Sequence, residues 1–171
     1  SQFKTHVWGN MECHNGGIFH ASTYILDKLD MVHYNFLRDL DVHPSEAFLE
    51  FNFAPPKLRR NIGISGLLHK RVLGLSHPLF QDLLPFCNDV PNSAPHGCHN
   101  KQLYGHLPDV EFQLVLYCRS IFAMTYVYNR LPQYVIDCKT VSLFQSCLTK
   151  IVREACTNGD PDWSEFFSCR K

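Results

Sequence analysis

The sequence predicts an all-α fold. Three observations carry that prediction. Apolar residues recur at helical spacing along most of the chain; capping and proline signals stand where those runs begin; no segment alternates in the manner of a strand with a hairpin turn. Of the 171 residues, 45% are hydrophobic, with 13 Phe, 7 Tyr and 2 Trp, enough to bury a substantial core. No internal repeat marks a solenoid.

Each element follows from local chemistry. Ser22 and Thr23 are N-cap residues ahead of Leu26, Leu29, Val32 or His33, Phe36, Leu37 and Leu40, which share one helical face. Pro44 opens a short helix to residue 51, because proline fits the first turn. Pro55-Pro56 opens a longer one to residue 73, stopped around Gly74. Ser76 and Pro78 start a short helix that Pro85 ends. An aromatic-rich helix runs up to Pro132. Thr140 caps the next, residues 141–157, whose stripe is Phe144, Leu148, Ile151 and Ala155 and whose stop is Asn158-Gly159. Asp160-Pro161 begins a last short helix carrying Trp163, Phe166 and Phe167.

Residues 86–109 differ: three Pro, two Gly and few large apolar groups make them a linker or long surface loop. They divide the chain into an expected N-terminal helical lobe, residues 1–85, and a C-terminal one, residues 110–171. Residues 112–128 form the most apolar window. Arg119 within it is expensive in hydrocarbon, so a helix buried in protein is expected there and no membrane span. The chain starts at Ser1 without an initiator Met, which reads as a processed protein or an excised fragment.

The formal net charge is zero, from 16 Lys+Arg and 16 Asp+Glu, which excludes a net-basic arm, an acidic tail and a charge-driven disordered chain. The balance conceals a segregation. Asp27, Asp30, Asp39, Asp41, Glu46 and Glu50 face two bases, Lys28 and Arg38; residues 51–81 then hold no acid but carry Lys57, Arg59, Arg60, Lys70 and Arg71. On a helix, Lys57, Arg60 and Arg71 fall within roughly 60° of one another, a stripe suited to tracking phosphates. Neutralisation against the acidic helix is the plainer reading of the same stripe. Charged residues are 19% of the chain, a low fraction that suits a surface covered by protein partners.

Cofactor chemistry is weakly signalled. A zinc ion would draw on Cys87, His96, Cys98 and His99, with His106 nearby, but these do not form the two close ligand pairs zinc sites use. Cys13, His14 and His20 are a weaker group. Asp39 and Asp41 are the one close acidic pair of note, expected to be a solvated helix end and not a Mg²⁺ site. No cofactor is therefore expected. Gly63, Gly66 and Gly74 suggest close helix packing, not a phosphate cradle. Eight cysteines lie without a regular framework and read as reduced, structural thiols, which points to a reducing intracellular compartment, organelles included.

Three stretches, residues 6–40, 51–75 and 127–152, together resemble the C-terminal, post-palm region of the open reading frame of LINE-type (non-LTR) retrotransposons, closest to the forms of marine protists. The motif residues are Tyr128-Asn129-Arg130-Leu131-Pro132, then Phe144 and Leu148, and the paired Arg59-Arg60 before an apolar helix. The resemblance implies a thumb-side module that packs on a polymerase and touches template or primer backbone through Lys57, Arg59, Arg60, Lys70 and Arg71. No Asp-Asp pair occurs anywhere in the chain, so the palm carboxylates that hold two metals are missing and no catalysis is expected. Asn129, Leu131, Pro132, Phe144 and Leu148 have a structural reading: a helix end where Asn suits a capping or left-handed position, and apolar positions at core spacing. Two functions follow as expectations. One is a non-catalytic module contacting RNA or DNA backbone. The other is a co-opted structural subunit of a larger protein assembly, organellar complexes included.

Overall fold

The computed structural model describes residues 3–8, 15–89, 98–105 and 116–170. It is mostly helical, and among the described residues there is no strand beyond one isolated bridge between Phe86 and Leu103. A π-helical turn, Phe3–Trp8, precedes α1 (Asn15–Ile18), α2 (Thr23–Asp39), α3 (Pro44–Leu49), α4 (Pro56–Val72) and α5 (Pro78–Leu83). After the 3₁₀ turn Cys87–Asp89 come α6 (Ile121–Tyr128), α7 (Gln133–Ile136) and α8 (Val141–Thr157), and a 3₁₀ turn, Trp163–Glu165, follows α8.

Helix starts obey the expected chemistry. Pro44, Pro56 and Pro78 each occupy a first turn, and the Thr140 side chain accepts the Leu143 N–H. Helix stops share one geometry. Gly74 and Gly159 take φ of 73° and 77° just past α4 and α8. The paired bonds Gly74 N–H to Arg71 O and Leu75 N–H to Lys70 O close α4, and the same pattern closes α8 on Cys156 and Ala155. Asp41, at φ 54°, closes α2 in this way on Arg38 and Leu37. It is an exposed turn residue, so the Asp39/Asp41 pair is a helix end.

α4 runs through the middle of the molecule. It packs against α8, α6, α1, α2 and the last 3₁₀ turn, and twelve of its 17 residues are buried. Leu58, Ile62, Ile64 and Leu68 supply its apolar part. Gly66 lets α8 approach, since a Cβ there would stand 2.5 Å from the Gln145 amide nitrogen. A helix enclosed on most sides turns some of its charges inward, Arg60 and Arg71 among them.

The expected division into two lobes is corrected by the core. One continuous apolar cluster takes Phe19, Phe48, Leu58, Leu68 and Leu84 from the first segment and Tyr128, Val135, Phe144, Leu148, Trp163 and Phe167 from the second. Phe48 stacks on Trp163 with ring centroids 5.1 Å apart. Residues of both segments therefore bury one another's apolar surface in a shared core. A smaller cluster of Leu37, Ala47 and Phe53 lies beside α2.

The linker is also corrected in part. Residues 98–105 are a strap across the core: Leu103 is fully buried, Cys87 N–H donates to Gln102 O at 2.9 Å, and Tyr104 N–H donates to Pro85 O at 2.8 Å. Residues 90–97 and 106–115 lie outside the described ones. Among the described residues no helix is long and apolar enough to cross a membrane.

The buried face of α2 differs from the expected one. Leu26, Asp30, His33 and Leu37 point inward, whereas Val32 and Leu40 are exposed. Two polar groups take core positions because each meets a partner. Asp30 receives two hydrogen bonds from Arg60, and the His33 ring stacks on Phe53 at 4.6 Å. Removing one member of a buried ion pair strands the other. Asp30→Ala is therefore expected to cost about 3–5 kcal/mol, and Asp30→Leu combined with Arg60→Met to recover most of that loss. Urea denaturation of the three proteins checks both, and a single variant no weaker than the double would contradict the account.

Candidate nucleic-acid interface

The five basic residues of the sequence reading do not form one exposed face. Arg60, 5% exposed, holds both Asp30 oxygens, at 2.6 and 2.7 Å. Arg71, 7% exposed, donates through Nε to Leu84 O at 3.0 Å and through Nη2 to Gln81 O, and it lies 4.5 Å from the Phe86 ring centroid. Lys57 pairs with Glu165. Lys70 is exposed, and Arg59 is half-buried. The stripe of Lys57, Arg60 and Arg71 is thus spent within the fold: the angular clustering that suggested a phosphate track reflects three positive groups turned toward protein acceptors.

A different cationic surface takes its place. α4 and α8, together with the end of α3, enclose an open groove of about 690 Å³. Arg59 enters it from α4; Lys150 and Arg153 enter from α8. Ser142, Gln145, Ser146, Thr149 and Asn52 add hydroxyl and amide groups, and Phe48, Leu58 and Ile62 contribute the apolar part of its wall. Among the described residues no carboxylate lines it. The helical period explains the α8 contribution, since residues 142, 145, 146, 149, 150 and 153 repeat at intervals of three and four on one side of that helix.

Arg153 is fixed in place. Its guanidinium donates to Leu49 O, Phe48 O and Asn52 Oδ1, each at 3.0 Å, and sits 5.0 Å from the Phe48 ring centroid. It thereby satisfies carbonyls at the C-terminal end of α3, where a positive charge is favoured. Lys150 has one weak neighbour, Glu154 at 4.0 Å, with both side chains largely in water; such a pair adds little and leaves the ammonium available. Ser142, in the first turn of α8, brings the positive end of that helix to the groove.

Of the zinc candidates, His99 is engaged by other bonds. His99 is buried, with Nε2 at 3.2 Å from Tyr128 O and Nδ1 accepting the Lys101 N–H at 3.1 Å. A carbonyl only accepts, so Nε2 carries the hydrogen and neither nitrogen is left for a metal. Cys87 is buried, and burial pushes its thiol pKa up; Cys98 is exposed. His96, His106, Cys13 and His14 lie outside the described residues, and His20 is exposed. Among the described residues no group of three His, Cys, Asp or Glu side chains is placed to hold a metal.

The family-motif residues are structural, and Asn129 more so than expected. It ends α6 with φ of −67°, right-handed and not left-handed. Its side-chain amide accepts the Leu103 N–H at 2.9 Å and donates to Leu103 O at 2.8 Å, pairing the strap to α6 as a neighbouring strand would. Leu131, Phe144 and Leu148 are in the core, and Pro132 is the exposed N-cap of α7.

Sequence reading missed the polar hub beside this motif. The Tyr128 hydroxyl lies 3.0 Å from His69 Nδ1, and His69 Nε2 lies 2.8 Å from Cys138 O. The carbonyl again fixes the tautomer: Nε2–H donates to Cys138 and Tyr128 donates to Nδ1. The His69 ring stacks flat on Phe144 at 4.1 Å. In sequence, His69 is one more positive residue in a basic run, so nothing local separates it from Lys70 and Arg71.

No family model, no curated protein and no solved structure matches this chain. The site therefore rests on its own geometry.

Burial pushes the pKa of His33, His69 and His99 below the ordinary value; for His33, where nearby Arg59 adds to the effect, it falls from 6.5 to about 4. The unfolded chain then takes up protons before the folded one as pH falls. Stability from the neutral His33 ring is whole above about pH 6.5 and is lost down to about pH 4, on the order of 3 kcal/mol in full. Urea midpoints measured from pH 7 to pH 4.5 are expected to decline, and His33→Phe to flatten the slope. A wild-type profile without that decline would contradict the assignment.

Proposed function

We propose that this chain is a non-catalytic helical module of retroelement type that holds nucleic-acid backbone in the polar groove between α4 and α8. The observation that carries the reading is the lining of that groove: three cations, five hydroxyl or amide side chains and, among the described residues, no carboxylate. Phosphate oxygens accept charge-assisted hydrogen bonds, which position a strand without reading its bases. The resemblance to the post-palm region of LINE-type proteins supports the same role, with Arg59 retained from the expected contact set, Lys150 added to it and Arg153 adding positive charge to the wall.

Binding of a fluorescein-labelled single-stranded RNA is the direct test. Two phosphate contacts, from Arg59 and Lys150, predict weak, sequence-indifferent binding whose log K falls against log salt with a slope of about −1.4. Arg59→Ala with Lys150→Ala is expected to weaken it about tenfold or more, the worth of one or two charge-assisted hydrogen bonds. Lys28→Ala, on α2 outside the groove, is expected to leave it nearly unchanged. No binding at low salt, or equal binding by the double variant, overturns the proposal.

A second reading, a structural subunit of a protein assembly, is favoured by the outer side of α2. Tyr24, Ile25, Met31 and Val32 are exposed there in pairs seven residues apart, 65% and 56% for Tyr24 and Met31. A helix seam of that spacing suits another helix. Self-association or a stable stoichiometric complex lost on Met31→Lys would support it; an unaltered monomer at high concentration that binds RNA would favour the groove.

A further inference from the structure

Among the described thiols one pair stands in contact. Cys138 Sγ and Cys147 Sγ are 3.6 Å apart. Cys138 follows α7 and Cys147 lies in α8, and both are partly exposed, so a small reagent reaches them. Their backbones are held: the Cys138 carbonyl accepts His69 Nε2–H, and Cys147 sits between the core residues Phe144 and Leu148. We propose that Cys138 and Cys147 form a reversible dithiol–disulfide site that exchanges with a low-molecular-weight disulfide of the glutathione class. Closing the bond requires the sulfurs to move about 1.5 Å, to the roughly 2.05 Å of a disulfide, a distance within reach of side-chain rotation.

The exchange balances without another reagent. One thiolate attacks a sulfur of oxidised glutathione, forming a mixed disulfide and releasing one glutathione thiolate. The second thiolate attacks the protein sulfur of that mixed disulfide and displaces the other glutathione. Two electrons pass from the protein to glutathione, and the two thiol protons end on the two released thiolates. Burial, the Cys147 thiol and Asp137 hold the Cys138 pKa up at about 11, so the exchange quickens as pH rises. The other described thiols are placed differently. Cys87 and Cys156 are buried, and the Cys169 thiol points at the Cys118 carbonyl, 3.6 Å away. The product staples the α7–α8 connection at the residue that His69 holds. This site is independent of the groove, so its failure would leave the nucleic-acid reading untouched.

The test is incubation of the folded full chain with oxidised glutathione, followed by peptide mapping without reduction. The expected product is a single Cys138–Cys147 cross-link with the loss of two hydrogens, removed by dithiothreitol and absent from Cys138→Ser and Cys147→Ser but present in Cys98→Ser. A parallel probe, phenylarsine oxide, is expected to bind the reduced native chain one to one and to lose that binding in either of the first two variants. Stalling at mixed disulfides, a cross-link such as Cys118–Cys169 in its place, or arsenical binding unaffected by those variants would overturn the assignment.

Discussion

Arg60 is 5% exposed, in the second turn of a helix that is itself mostly enclosed, and its charge is met by both oxygens of Asp30. That constraint organises the neighbourhood. A guanidinium cannot enter a core without a fixed acceptor, so α2 must present Asp30 at the height of Arg60 on α4. With Asp30 inside, His33 and Leu37 follow one and two turns later, and Val32 and Leu40 turn out to solvent. The position of one buried charge therefore selects which face of α2 is inner, against its hydrophobic pattern.

The same rule recurs along α4. Arg71 is satisfied by carbonyls near the end of α5, and His69 by Tyr128 and the Cys138 carbonyl. Each polar group reaches a different part of the chain, so the central helix acts as a polar register as well as an apolar core. Tyr128 and Asn129 extend it: the tyrosine carbonyl meets His99, and the asparagine amide pairs with Leu103. Strap, α4, α6 and the α7–α8 connection are thereby tied at two adjacent residues. The adjacent Tyr128 and Asn129 thus serve one packing junction.

Helix starts and stops were legible because they depend on neighbours in sequence. Thr140 with α8, Pro56 with α4, and the glycines at 74 and 159 all stand as read. So do the core positions Phe144 and Leu148 and the close approach at Gly66. The candidate site was legible in one residue, Arg59. Lys150 and Arg153 were passed over because each lies in an amphipathic helix whose sequence shows a solvated face, and nothing local says that this face borders α4. The strap was misread as linker for the same kind of reason: Leu103 stands alone among polar residues, and its value appears only opposite Asn129.

By itself, then, the sequence determined an all-α chain, its helix ends and most of its core, since these are set by backbone preference, capping and apolar spacing. Tertiary structure decided the rest. It drew residues of both expected lobes into one core, a pairing of distant apolar surfaces that local periodicity does not encode. It also decided which charges face water. Periodicity places Lys57, Arg60 and Arg71 on one side of a helix, but whether that side meets solvent or a carboxylate depends on residues about thirty to a hundred positions away, Asp30 and Glu165 among them.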